Sequence, residues 1–379
     1  MERTPLILVM AAVVLVSVAT GLARPAIAFY TRYSLESTML ATASLTSSFM
    51  LGRMLTSIVS GVASELAPGR QWLLASIPAA LAGLVVYIIP NTGSPGLVIG
   101  LMAVWGLLGG LTWPTVQIAV AEMAGGRSGT VLSVYFALGT IGVSAGNWLF
   151  GHLDLGYGEV VKLGALLMVP PALLIGVALA MHPPSVRARS ARSLAGRLRS
   201  RIVAWVLLVT LALGLLNGLL REYFYIYSHE VYGLSREALG SLLGVAGVAA
   251  FLAGLASGAL ADRVGIPPAL AVVTLIAAAG SVLLGLPHGS TLLLGLGFVL
   301  ASVGVRASMP LTRNRNLLPG AGGAAVVGLS NAALNLGVLV SPLVAGFLYE
   351  HGLGSGGAPY LVLGVVLPLV VASLYPRRV

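Results

Sequence analysis

The chain is divided near its middle by the segment HPPSVRARSARSLAGRLRSR, residues His182 to Arg201. This segment holds six of the 21 basic residues, has no acidic residue and begins with two prolines. Such a composition cannot cross a bilayer, and Lys and Arg favour short loops on the cytoplasmic side of a membrane. We therefore interpret residues 183–201 as a solvated cytoplasmic linker between an N-terminal half, residues 1–182, and a C-terminal half, residues 202–379.

The composition outside the linker is that of a membrane protein. Only 8% of the 379 residues are charged and the mean hydropathy is +0.99, whereas soluble domains carry roughly 25% charged residues. The net charge of +10 is assigned to membrane topology and anionic lipid headgroups, so a lipid bilayer and not a nucleic acid is the expected partner. The absence of cysteine excludes disulfides, thiolate zinc sites and a cysteine nucleophile.

A helix needs about 20 mostly apolar residues to cross the hydrocarbon core. Twelve segments have this length, six in each half, which predicts an all-α integral membrane fold of two six-helix halves. They are residues 6–30, 37–60, 72–89, 97–121, 129–150, 160–180, 202–227, 237–261, 268–286, 291–312, 324–348 and 359–374.

The distribution of basic residues orients these spans. Loops on the linker's side hold 14 basic residues, the opposite loops and the adjoining ends of the spans hold three, and four lie deeper within spans. The sequence therefore predicts a multi-pass protein of the cell membrane with both termini and the central loop in the cytoplasm.

Segments of the first half recur in the second half at a nearly constant offset. TGLAR at Thr20 to Arg24 corresponds to NGLLR at Asn217 to Arg221, 197 residues later. The run GVSAGNWLFG from Gly142 corresponds to GVLVSPLVAG from Gly337, 195 residues later. This repetition predicts two halves of the same architecture, related by an axis along the membrane normal.

One loop carries a family resemblance. GALADRVG at Gly258 to Gly265, between spans eight and nine, resembles the motif GxxxDRxG of the major facilitator superfamily, and GVASELAPGR at Gly61 to Arg70 is a degraded first-half copy. With twelve spans and a basic central loop, the resemblance covers essentially the whole chain. It implies a transporter that works by alternating access.

The resemblance also implies a cytoplasmic gating latch that stabilises the outward-facing state, with an ordinary capped loop as the alternative. Glycine permits a tight turn or close helix approach, and an acid after the end of a span caps a neighbouring helix or pairs with an arginine. The latch residues are Gly61, Glu65, Arg70, Gly258, Asp262, Arg263 and Gly265.

Two arginines occupy equivalent positions inside spans one and seven. Arg24 and Arg221 would each cost about 2.5–3.5 kcal/mol at mid-membrane, so such residues usually face a wet cavity or a partner. The pair resembles the arginines with which organophosphate and phosphate antiporters clamp a phosphate, and two guanidinium forks can bind one anion. In the alternative, Arg24 reaches the outer interface and Glu222 neutralises Arg221.

Glu222 is the one acid in the interior of a predicted span, because Glu237 stands at the first position of its span. It is a candidate partner of Arg24 or a candidate proton-coupling group. The aromatic residues that follow it, from Tyr223 to Tyr227, are interpreted as an interfacial belt more than as a substrate cage.

Other polar residues in apolar spans are candidate cavity residues, with interhelical packing as the alternative. Arg53 is different, because the resemblance favours a structural role for it. The candidate cavity residues are Arg306, Trp113, Gln117, Asn217, Asn331 and Asn335.

The substrate class follows from the charges. Drug-exporting branches of the superfamily typically carry an arginine in span four, but here the stretch before Gly109 contains Trp105 instead. Together with the arginine pair, this favours a small organic or phosphorylated anion, with proton-coupled drug or metabolite efflux as the alternative. A membrane-embedded enzyme or a channel is remote, since no span carries paired acids, a serine with a base or a metal motif.

No cofactor is expected, since no phosphate-binding GxxxxGK[ST] loop occurs. Protons are a candidate coupling ion and the expected state is a monomer.

Overall fold

The computed structural model describes residues 3–66, 70–124, 128–182, 201–287, 289–312, 323–352 and 356–373, which are largely helical and contain no β-strand. In the N-terminal half, helices α1 to α7 span Arg3–Phe29, Met39–Leu66, Gln71–Ile88, Pro95–Met123, Ser128–His152, Tyr157–Leu166 and Val169–Met181. In the C-terminal half, helices α8 to α14 span Arg201–Leu219, Glu222–Tyr232, Arg236–Val264, Ile266–Gly285, Thr291–Thr312, Gly323–Glu350 and Ala358–Ser373.

Each predicted span corresponds to one helix or to two consecutive helices. The sixth span is the pair α6 and α7, and the seventh is the pair α8 and α9. Within the described ranges, nine helical segments are long and apolar enough to cross a membrane, and Ala358–Ser373 is a shorter apolar helix. The prediction of an all-α, multi-pass membrane protein is confirmed.

The helices group into two compact units. The first comprises Met1–Ala188 and Ser235–Gly244, and the second comprises Arg189–Leu234 and Val245–Val379. The start of α10 thus packs with the first unit. Residues 183–200 of the predicted linker lie outside the described residues.

Glycines let the helices of the first unit approach at backbone distance. A Cβ atom on Gly142 of α5 would lie 2.7 Å from the carbonyl oxygen of Val14 in α1. A Cβ atom on Gly106 of α4 would overlap the carbonyl oxygen of Phe49 in α2. Because lipid tails are as apolar as the helix surfaces, such close van der Waals contact is a main source of attraction between membrane helices.

One glycine contact of the first unit is repeated in the second unit. In the first unit, a Cβ atom on Gly21 of α1 would overlap the carbonyl oxygen of Val143 in α5. In the second, a Cβ atom on Gly218 of α8 would lie 2.9 Å from the carbonyl oxygen of Val338 in α13. These residues are offset by 197 and 195 positions, as in the sequence repeat. The duplication is therefore visible in the packing.

Gly106→Ala tests this packing, and Gly100→Ala is its control in the same helix. We expect Gly106→Ala to lower the free energy of unfolding by about 1–3 kcal/mol, because the added methyl group forces α2 away from α4. Around Gly100 an added Cβ atom meets nothing within 4 Å, so this variant should be neutral or gain up to about 1 kcal/mol of helix propensity. The measurement is unfolding of the detergent-purified protein, and equal stability of the two variants would contradict the packing.

Candidate functional site

Arg24 is buried inside the first unit. Its side chain is 8% exposed, and α1 continues through Arg24 and the following Pro25 to Phe29. Nη2 donates a hydrogen bond to Oγ1 of Thr46 at 3.4 Å, and the guanidinium carbon lies 4.9 Å from the ring centroid of Phe49. The alternative in which Arg24 reaches the outer interface is therefore wrong, because α2 covers the side chain.

The residues of α2 that meet Arg24 form one stripe. Thr46, Phe49 and Arg53 are spaced by three and four residues, which places them on the same face of the helix. Arg53 is partly buried and lies close enough to Arg24 to interact with it electrostatically. The stripe therefore brings two guanidinium groups into one neighbourhood.

Tyr135 of α5 connects Arg53 to α4. It is 4% exposed and lies in an apolar core cluster against which Trp113 also packs. Its hydroxyl lies in the neighbourhood of Arg53 and of the Gln117 side chain. We call Arg24, Arg53, Tyr135 and Gln117 the arginine cluster.

Two members of the arginine cluster were not found as site residues from the sequence. The family resemblance favours a structural role for Arg53, and the sequence gives no reason to select Tyr135. The available signal was the polar and aromatic stripe Thr46, Phe49 and Arg53 in an otherwise apolar span. Nothing in the sequence of α5 indicated that Tyr135 would face this stripe.

In the second unit, the predicted seventh span is not one continuous helix. It breaks at Leu220 and Arg221, where Arg221 has φ −111° and ψ −134°. The sequence suggested that Arg221 and Glu222 are successive positions of one helix. In the structure Arg221 lies at the break and Glu222 begins the next helix. The hydroxyl of Tyr360 donates a hydrogen bond to the carbonyl oxygen of Leu219 at 2.9 Å, which satisfies a backbone group at the end of α8.

Glu222 begins the new helix. It is fully buried and lies in the first turn of α9, where the positive end of the helix dipole favours a negative charge. Arg221 is partly buried and Asn217, in the last turn of α8, is buried. The break thus gathers three predicted site residues in one short segment.

The aromatic residues after the break do not form an interfacial belt. Tyr223, Phe224 and Tyr227 are no more than 2% exposed. The Tyr223 hydroxyl donates to the carbonyl oxygen of Gly356 at 2.7 Å, and the ring centroids of Tyr223 and Tyr360 are 6.0 Å apart. That interpretation is wrong because these side chains pack inside the second unit.

Three further candidates lie on α12 and α13 of the second unit. Arg306, Asn331 and Asn335 are each partly buried. Their assignment to the substrate path stays a prediction.

The second-half gating motif lies at the end of α10. Asp262 and Arg263 are exposed and belong to the last turn of the helix, which ends at Val264. The prediction that they follow the end of the helix is wrong. Gly265 has φ +87°, a conformation that favours glycine, so the tight turn is confirmed. An added Cβ atom at Gly258 would meet nothing within 4 Å, so the close helix approach expected there is wrong.

The first-half copy of the motif is described only at its end. Arg70 is exposed and immediately precedes α3. The side chain of Glu65 and the surroundings of Gly61 lie outside the described residues. The latch therefore stays a prediction in both halves.

Comparison with known proteins supplies a family match. The family model of the Major Facilitator Superfamily matches residues 9–315. A comparison with curated protein sequences gave no match.

Solved structures of similar fold are also known. A variant of the nucleoside transporter NupG is 13% identical with a TM-score of 0.80, covering 98% of this chain and 100% of that one. A bacterial homologue of the human lysosomal transporter Spinster, in an inward-facing and occupied conformation, is 13% identical with a TM-score of 0.70, covering 98% and 95%. The human organic anion transporter MFSD10 is 17% identical with a TM-score of 0.69, covering 98% and 99%. At these identities the likeness is one of fold.

Proposed function

Because the chain belongs to the major facilitator superfamily, we propose that it is a secondary active transporter for a small organic or phosphorylated anion. That it is a membrane transporter and not an enzyme follows from the family and from the transporters that share its fold. The solved relatives carry different kinds of solute, so the fold does not select the substrate. We infer the substrate class from the charged residues inside each unit.

The observation that carries the proposal is the burial of Arg24. A guanidinium inside a membrane helix is costly and usually serves a substrate path. The contacts to Thr46 and Phe49 hold it in one orientation. A planar fork is suited to carboxylate and phosphate oxygens.

Arg221 occupies the equivalent position of the sequence repeat. Its non-helical backbone places it at a helix break, and discontinuous helices are common at the binding sites of transporters. We propose Arg24 and Arg221 as the anion-binding arginines of their respective units.

Arg24→Gln and Arg221→Gln test this function. Each should weaken binding of the transported anion by about 10- to 100-fold, the loss expected for one hydrogen bond to a charged group. The measurement is thermal stabilisation of the purified protein by a panel of phosphate esters, carboxylates, sugars and cationic drugs. Lys162→Gln, which removes a cation that lies 5.8 Å from the Tyr87 ring centroid, is the control.

Stabilisation by cationic or neutral compounds would contradict the proposal. In that case proton-coupled efflux of drugs or metabolites becomes the leading function, and the two arginines are structural.

We propose protons as the coupling ion and Glu222 as the residue that binds them. Its side chain is completely buried, and acids inside membrane helices form the proton relays of pumps and transporters. Glu222→Gln should abolish substrate accumulation driven by a proton gradient while leaving exchange of substrate across the membrane intact. Transport by proteoliposomes measures both, and gradient-driven accumulation in the variant would exclude Glu222.

We further propose that the transporter acts as a monomer, with its termini and the latch at residues 258–265 in the cytoplasm. The charge bias of the loops supports this orientation. Because the chain has no cysteine, labelling of single introduced cysteines in intact cells tests it directly.

A further inference from the structure

Arg236, the first residue of α10, binds the backbone of the first unit. Its Nε atom donates a hydrogen bond to the carbonyl oxygen of Phe150 at 2.7 Å, and Nη1 donates to that of Leu155 at 2.7 Å. The guanidinium carbon lies 4.8 Å from the ring centroid of Phe150 and 5.5 Å from that of Tyr157. Phe150 lies in the last turn of α5 and Tyr157 begins α6, so one side chain fastens α10 to two other helices. We call Arg236 and its two carbonyl acceptors the clasp.

Beside the clasp, the backbones of α5 and α10 come into direct contact. A Cβ atom on Gly240 would lie 2.6 Å from the Cα atom of Gly151. One turn further along α10, a Cβ atom on Gly244 would lie 3.3 Å from the Cβ atom of Trp148. Glycines permit this close approach, and they have no side chain to withdraw when two helices separate. The contact can therefore open and close again without a change of rotamer at the glycine positions.

The acceptors in the clasp are neutral carbonyl oxygens. The acid next to Arg236 along the chain, Glu237, faces His152 instead, with 3.9 Å between Oε1 and Nε2. The Glu237 side chain is 72% exposed. Opening the clasp exchanges bonds to carbonyl oxygens for bonds to water, which costs less than separating a buried ion pair.

Helix α10 is continuous, yet its residues divide between the two units. Its first residues, up to Gly244, group with the first unit, and those from Val245 group with the second. In this superfamily, alternating access is largely a rigid-body movement of one repeat against the other. Helix α10 cannot take part in such a movement of the second unit while its start is fastened to α5. The fastening therefore has to open.

We propose that Arg236 fastens α10 in one state of the transport cycle and releases it in the other, so that the clasp acts as a gate. By the predicted topology it lies on the membrane face opposite the central linker, away from the gating motifs at residues 61–70 and 258–265. Arg236 is a positioning residue, since it holds a helix and not the solute. The inference requires a transporter of this superfamily and does not depend on the class of its substrate.

Ser144→Cys provides a reporter of the clasp, since the chain has no cysteine. Ser144 is 4% exposed and lies one turn before Trp148 in α5, with its carbonyl oxygen 3.6 Å from the Cβ position of Gly244. In the detergent-purified full-length protein, a maleimide should react with this thiol when the clasp is open. Adding Arg236→Gln should raise the labelling rate by about 10-fold or more, because a neutral and shorter side chain replaces two charge-assisted hydrogen bonds.

Three controls separate opening of the clasp from loss of the fold. Glu237→Gln alters the next residue, whose exposed contact with His152 is weak, and should change the rate by less than about 3-fold. Val86→Cys places a thiol in α3 at a fully buried position, and Arg236→Gln should leave its labelling unchanged. Arg236→Lys keeps the charge and should give an intermediate rate. It takes the place of the glutamine variant if thermal unfolding shows that Arg236→Gln is not folded.

A disulfide tests whether the clasp has to open. The Cβ positions of Trp148 and Gly244 are 3.3 Å apart, close to the roughly 3.5–4.5 Å of disulfides. Trp148→Cys combined with Gly244→Cys should therefore form a disulfide on oxidation. In proteoliposomes, oxidation should abolish uptake of inorganic phosphate or succinate, whichever the parent takes up, and a reducing agent should restore it. Each single variant is the control, since it cannot form the bond within one chain.

Uptake that survives the disulfide overturns the proposal, because a contact that never opens is unaffected by a cross-link. An unchanged labelling rate in Arg236→Gln overturns it as well. A parent that takes up neither probe counts against the proposed function and not against the clasp, which the labelling rates then decide.

Discussion

Close contact between helix backbones is the constraint on which both units depend. In a bilayer the helices gain little from hiding apolar surface from one another, so packing at van der Waals distance has to supply the attraction. Gly106 lets α4 reach the backbone of α2 at Phe49, and Gly142 does the same for α5 and α1. Because Phe49 is also the ring beneath Arg24, the glycine contacts position the charged residues as well as the helices.

Within this apolar packing, the buried arginine of α1 is stabilised by modest interactions. A hydrogen bond to Thr46 at 3.4 Å is long, and the aromatic contact at 4.9 Å to Phe49 contributes roughly 2 kcal/mol when desolvated. These gains are of the same order as the roughly 2.5–3.5 kcal/mol that insertion of the charge costs. Arg53 adds a second positive charge nearby, which repels the first.

The two units have the same helix contact but diverge at the arginine that follows it. In the first unit α1 continues through Arg24 and Pro25, and the guanidinium packs on α2. In the second unit the helix ends before Arg221 and restarts at Glu222. The Tyr360 hydroxyl donates a hydrogen bond to the carbonyl oxygen of Leu219. The positive end of the α9 dipole lies at Glu222 and favours a negative charge there. Duplicated sequence thus yields a continuous charged helix in one unit and a broken one with a buried acid in the other.

The sequence by itself determined the class of fold and the register of the repeat. Hydropathy over about 20 residues and the requirement for internal backbone hydrogen bonds leave helices as the outcome for such a chain. The offset between Gly21 and Gly218 predicted equivalent positions for Arg24 and Arg221, and the glycine contacts agree with it. The turn at Gly265 followed from a local conformational preference. These features depend on residues near one another along the chain.

Only the tertiary structure decided which polar residues meet. Arg53 and Tyr135 are 82 positions apart, and their proximity depends on how α2 and α5 pack, which no local pattern encodes. At the break before Glu222, the carbonyl oxygen of Leu219 accepts a hydrogen bond from Tyr360, 141 residues away. No proline in this segment predicts the break. The aromatic run after it resembles a membrane-interface sequence, yet burial against Tyr360 placed it in the core. In each case the outcome depends on partners supplied by distant helices, because side chains in a helix bundle are positioned by the packing of whole elements.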